Sequence, residues 1–161
     1  MRASTKRRLQ ELFDEYEKRK LQDRKERQQA GTGRQEFLER FDRKIKETIR
    51  PGYKELAHLI RSKGHGCEIT ERHESQDEQG CILSARIQME ILPDGVRARP
   101  GERPTISFIA DSCRQEVWTH VSIATPGREG CSGQRNVYTL DEITEDTVEE
   151  EVLGVLSGCF G

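Results

Sequence analysis

At Gly64 the apolar residues stop recurring every three or four positions and begin to alternate, and this change of period constrains the fold more than any other feature. A 3.6-residue period belongs to helices with one buried stripe, a period of two to half-buried strands. Upstream, Leu9, Leu12, Phe13 and Tyr16 recur at i, i+3, i+4 and i+7 and predict a helix over residues 5–29, with Ser4 or Thr5 as its cap. After Leu21 the stripe vanishes, and Gly31-Thr32-Gly33 is expected to break the helix. A second helix is expected over 34–62, with Phe37, Phe41, Ile45, Ile49, Tyr53, Leu56 and Ile60 on its buried face and Leu38 and Leu59 widening it. Pro51-Gly52 predicts a kink within it, because proline removes a helical hydrogen bond and disfavours helix at Arg50.

Downstream, Cys81–Leu92 is the clearest strand, with Leu83, Ala85, Ile87, Met89 and Ile91 on one side. Cys67–His73 reads as a weaker strand before it. Thr105–Ala110 and Glu116–Ala124 form a hairpin around Asp111–Arg114, and a glycine-rich loop, Gly127–Gly133, leads to a short strand near Val137–Leu140. Thr144 caps a final helix with Val148, Val152, Val155 and Leu156 inward, and Ile143 with Val148 suits a hydrophobic staple. The fold class is therefore α+β: two N-terminal helices, the second long and kinked at Pro51, an antiparallel sheet of about five strands, and one C-terminal helix. Residues 1–33 form a charged helical arm, and 34–161 the α+β body.

Charge follows the same division. Residues 1–64 carry 19 Lys and Arg against 11 Asp and Glu; residues 65–161 carry 8 Arg, no Lys, and 18 acids. A near-neutral total thus conceals a basic leading half and an acidic remainder. Apolar residues make up only 32% and charged residues 35% of the chain, so part of it lies outside any core. The helical charges are paired acid-first at i, i+4 (Asp14–Lys18, Glu15–Arg19, Asp23–Arg27, Glu36–Arg40, Glu39–Arg43, Asp42–Lys46), which supports a solvated helix with little packing.

No apolar run approaches the ~20 residues needed to span a bilayer, so no membrane partner is expected. The start Met1–Arg8 has no apolar segment behind it and does not read as a secretory signal, so the cytoplasm is the expected compartment. Five cysteines, at 67, 81, 113, 131 and 159, are odd in number and widely spaced, as reduced thiols are.

The leading expectation is a non-enzymatic interaction or adaptor protein that docks a larger protein, or a second copy of itself in coiled-coil fashion, through Leu9, Leu12, Phe13 and Tyr16. Trp118, on the side of its strand opposite the core set Val117, Thr119, Val121 and Ile123, is a further partner-binding candidate. The acidic groups Glu145, Asp146, Glu149, Glu150 and Glu151 suit the start of the last helix and would also receive the basic arm of a neighbouring protomer. As an alternative, Lys6, Arg7, Arg8, Lys18, Arg19, Lys20, Arg24 and Lys25, with Arg27, would contact nucleic-acid phosphates, though at 100° per residue they spread around the helix. A second alternative is an enzyme using one of the cysteines with His120. His65, Cys67, His73 and Cys81 match no metal-site spacing, and neither metal nor cofactor is expected. Gly127, Gly130 and Gly133 lack the Gly-Lys-Ser/Thr of a phosphate loop; Arg128 and Arg135 would make that loop a contact surface.

Overall fold

The computed structural model describes residues 3–97, 99–123 and 131–160, and of Arg27, Ala30, Pro100 and Cys131 the backbone only. Of the expected loop Gly127–Gly133, residues 127–130, with Arg128, and the strand end at Ala124 lie outside the described residues, and the remainder, expected as loop, belongs to a strand that begins at Cys131. The chain divides into two units, Met1–Glu36 and Phe37–Gly161.

The helical part differs from the sequence expectation. Helix α1 runs Ala3–Lys44, a π-helical turn follows over Ile45–Ile49, and α2 covers Arg50–Ser62, so two expected helices form one helical path. Gly31 and Gly33 cost a helix roughly 1 kcal/mol each relative to alanine but do not stop it. Thr32 between them donates its hydroxyl to the Gln28 carbonyl one turn back (2.9 Å). Ser4 and Thr5, expected as caps, lie inside α1.

The π turn replaces the expected kink at Pro51. Phe37, Phe41, Ile45, Ile49, Tyr53 and Ala57 are spaced by four and all buried. At 3.6 residues per turn, each such step drifts by about 40°, which would carry the stripe off the sheet within a few turns. The wider π turn, closed by the Arg50 N–H on the Ile45 carbonyl, takes up that drift. It also precedes Pro51, which has no N–H to give to the carbonyl four residues back.

The second unit is a five-stranded antiparallel sheet in the order β1-β4-β5-β6-β7, formed by β1 (Gly66–Arg72), β4 (Arg86–Leu92), β5 (Thr105–Asp111), β6 (Glu116–Ile123) and β7 (Cys131–Tyr138). A separate ribbon pairs β2 (Ser75–Gln76) with β3 (Ile82–Leu83). The expected strand Cys81–Leu92 is therefore split. Leu83 pairs with Ser75 in the ribbon and is exposed, while Ala85, Ile87, Met89 and Ile91 are buried. At the break the Ser84 carbonyl accepts both Nε and Nη2 of Arg72 (3.1 and 3.0 Å), a substitute for a ladder partner.

Helix α3 (Glu145–Phe160) opens on Thr144, whose Oγ1 accepts the Thr147 N–H (3.4 Å), and Ile143 and Val148 are both buried as the staple requires. One core joins Phe37–Ile60 of the helical path and Val148, Val152 and Val155 of α3 to the same sheet face, Ile87, Met89, Ile106, Phe108 and Val117. Tyr53 is fully buried, tilted against Phe108, and donates its hydroxyl to the Ile106 carbonyl (3.1 Å). Gly52 admits α3 closely, since a Cβ there would stand 3.1 Å from Val148 Cγ1.

At the rim of this layer, Arg50 grips Glu71 of β1 through two hydrogen bonds of 2.5 and 2.6 Å. That fork holds the Glu71 carboxyl below its ordinary pKa. A depressed carboxyl stabilises the fold fully above its unfolded pKa, ~4.3, and the contribution is lost as pH falls through the lower folded value. Replacing Glu71 by Gln is expected to cost about 1 kcal/mol at pH 7, the pair being partly exposed. Urea unfolding at successively lower pH should show the gap between the two proteins narrowing once the pH falls below ~4.3; a gap that is constant across that range would contradict the assignment.

Candidate functional site

In the first unit every described side chain up to Gly31 is exposed. Leu9 is 40%, Leu12 58%, Phe13 63% and Tyr16 64% exposed, although their i, i+3, i+4, i+7 recurrence is that of a helix with one buried stripe. Four large apolar groups thus lie on one helical face in contact with water. The basic residues of the alternative reading, Lys6, Arg7, Arg8, Lys18, Arg19, Lys20, Arg24 and Lys25, are exposed as well. Arg7 is paired with Glu11 (3.3 Å) and Arg19 with Glu15 (3.9 Å), which subtracts from the positive field such a surface needs. Of the other expected pairs, Lys46 meets Asp42 at 2.8 Å, and Arg40 reaches Asp141 at 3.5 Å.

The second unit carries three features. The first is an apolar groove of about 480 Å³ between the C-terminal halves of α2 and α3, lined by Leu59, Ile60, Leu156 and Phe160 with Lys63 and Ser157 at its rim. His65 forms one wall, its ring 4.7 Å from that of Phe160 and its Nδ1 accepting the Asp94 N–H (2.9 Å). Leu59, Leu153 and Phe160 are exposed, and Leu153 and Phe160 stand on the α3 face that begins with Glu149 and Glu150.

The second is the sheet face opposite the core. Register places Arg72, Arg86, Ile109, Trp118 and Val137 side by side across all five strands, and Thr70, Gln88, Ser107, His120 and Gln134 in the next row. Trp118 is half-buried on this outer face, edge-on to His120 with ring centroids 6.3 Å apart. Ser107 donates to Gln88 (3.1 Å), and Ser132 lies 3.4 Å from His120 Nε2. Desolvation, with Arg86 as neighbour, lowers the Arg72 pKa.

The third is a polar knot that sequence reasoning missed. Glu151, counted among the acids at the helix start, is 2% exposed. Its Oε1 accepts Asn136 Nδ2 and the Tyr138 hydroxyl, both at 2.6 Å, and its Oε2 lies 3.6 Å from Arg135 Nε. The signal was available: residue 151 sits three after Val148 and four before Val155, on the buried face. Desolvation and the bond to Glu151 push the Tyr138 hydroxyl up to about 12, so it remains a donor throughout the working range. β7 is an edge strand with exposed residues, longer than the expected Val137–Leu140. An inward-turned charge and a bulge facing Trp118–His120 are both devices that discourage a foreign strand from adding there.

The residues weighed for metal or thiol chemistry are dispersed. Among the described residues no group of three or more His, Cys, Asp or Glu is close enough to hold a metal ion. Cys67 is buried and its thiol pKa raised by desolvation, as is that of Cys159, whereas Cys81 and Cys113 are exposed. Among the described residues no helix is long and apolar enough to cross a membrane. The chain matches no protein-family model, no curated protein and no solved structure.

Two outcomes follow for the second unit. Glu151→Ala is expected to cost about 3 kcal/mol in urea unfolding by stranding buried donors, and Glu151→Gln about half of that because one acceptor remains. Under native alkylation near pH 8, Cys81 and Cys113 should react first and Cys67 at least about tenfold more slowly. A Cys67 that keeps pace with them would show that β1 opens readily.

Proposed function

We propose that this is a non-enzymatic cytoplasmic interaction protein that self-associates, or docks a larger protein, through the helical face bearing Leu9, Leu12, Phe13 and Tyr16. The observation that supports this reading is the contrast between two apolar stripes on helical segments. The one at 37–57 is buried on a sheet, and the one at 9–16 faces solvent. Exposed apolar groups at i, i+3, i+4 and i+7 are the pattern by which an amphipathic helix seats in a partner's groove. Trp118 on the outer sheet face is a second contact candidate, being large, half-buried and rimmed by polar side chains.

Light scattering on the full chain and on Leu12→Asp/Phe13→Asp tests this. The parent is expected to run above the 18.5 kDa of one chain, or to retain a protein partner, and the variant to do neither. Identical behaviour of the two proteins in both measurements would falsify it. Tight binding of short duplex or single-stranded probes, weakening steeply with salt, would instead favour the basic residues as the functional ones.

A further inference from the structure

Resting on that reading, we propose that the occupant sought by the 9–16 stripe is the α2–α3 groove of a second copy of this chain. The pattern Leu9, Leu12, Phe13, Tyr16 spans only two turns before Arg19 and Asp23 replace it at the following stripe positions. Two such ridges laid against each other would bury far less than the roughly 1,200 Å² of a stable interface. A short ridge is suited instead to a preformed recess, where a few anchors are enclosed on several sides. The groove between Leu59, Ile60, Leu156 and Phe160, about 480 Å³ and open to solvent, is lined mostly by apolar side chains. His65 and Phe160, packed ring against ring, give it a firm wall.

Charge favours a second copy of this chain as that partner. The stripe is bracketed by Lys6-Arg7-Arg8 on one side and Lys18-Arg19-Lys20 on the other, a basic excess that remains after Arg7 pairs with Glu11 and Arg19 with Glu15. The α3 face leading to the groove starts with the exposed acids Glu149 and Glu150, followed by exposed Leu153 and then Phe160. An apolar segment with a basic end therefore meets an apolar recess with an acidic approach, each present once in every copy. The stripe and the recess differ from each other, so a reciprocal exchange of arms between two chains fills both recesses.

Leu59 and Phe13 are both exposed, so charged substitutions at these positions leave the core alone. In sedimentation of the full chain over a range of concentrations, Phe13→Asp and Leu59→Glu should each weaken self-association at least about 30-fold. An equimolar mixture of the two variants should regain a two-chain species, because one keeps an intact groove and the other an intact stripe. Loss of association in Phe13→Asp with none in Leu59→Glu overturns the groove as receptor while leaving the helical face as the contact. A parent chain that stays monomeric at every concentration overturns the second copy as occupant, whether the groove is filled from within one chain or by another protein. If Phe13→Asp alters neither self-association nor partner retention, the underlying reading falls as well.

Discussion

Keeping a four-residue ladder of apolar side chains on one sheet is the constraint from which the second unit is built. Phe37 through Ala57 must stay in one core with the sheet over five steps, and a regular α-helix rotates them away. The π turn at Ile45–Ile49 restores alignment where the helix meets the middle of the core, so that Ile49 and Tyr53 are fully buried. With the ladder in place, Gly52 leaves room for α3, and Arg50 lies within reach of Glu71 on the edge strand β1. The register change, Pro51 and the Arg50–Glu71 fork are therefore parts of one solution to a geometric mismatch.

The first unit shows what the same kind of ridge does without a sheet beneath it. Its helix relies on local terms, ion pairs such as Arg7–Glu11 and the propensity of Glu, Lys, Arg, Gln and Leu. Those terms are each a few tenths of a kcal/mol and salt-sensitive. Water contact of Leu9, Leu12, Phe13 and Tyr16 is the unfavourable feature of that unit, and association is the general way for such a face to become dry.

Most of the architecture was legible because burial on one side writes itself into spacing. Alternation at Ile87, Met89 and Ile91 and the hairpin about Asp111–Arg114 could be read directly, as could the Thr144 cap. What escaped had physical reasons. Alternation continues unbroken through Leu83, so no local signal separates the ribbon from the main strand. β7, Cys-Ser-Gly-Gln-Arg-Asn-Val-Tyr, has almost no apolar member and owes its pairing to β6 rather than to propensity. Helix-breaking glycines at 31 and 33 were outweighed by their neighbours, a tertiary-independent miss. Strict four-residue spacing from Phe37 to Ala57 departs from α geometry and marks the π turn, whereas Pro51 points only to a kink. The groove was beyond reach, since Leu59, Leu156 and Phe160 come together only once α2 and α3 have docked.

The knot around Glu151 reaches through the sheet. Asn136 serves it twice, its side chain bonding the carboxylate and its N–H bonding Thr119 Oγ1 (3.1 Å) in the bulge between Trp118 and His120. Thr119 is fully buried on the helical side, while its two chain neighbours stand on the opposite surface. The backbone step that aims the indole is thus pinned from underneath by an interior acid. The chain's one tryptophan is consequently a native fluorophore wired to the last helix, and its emission would report the seating of α3 without any label.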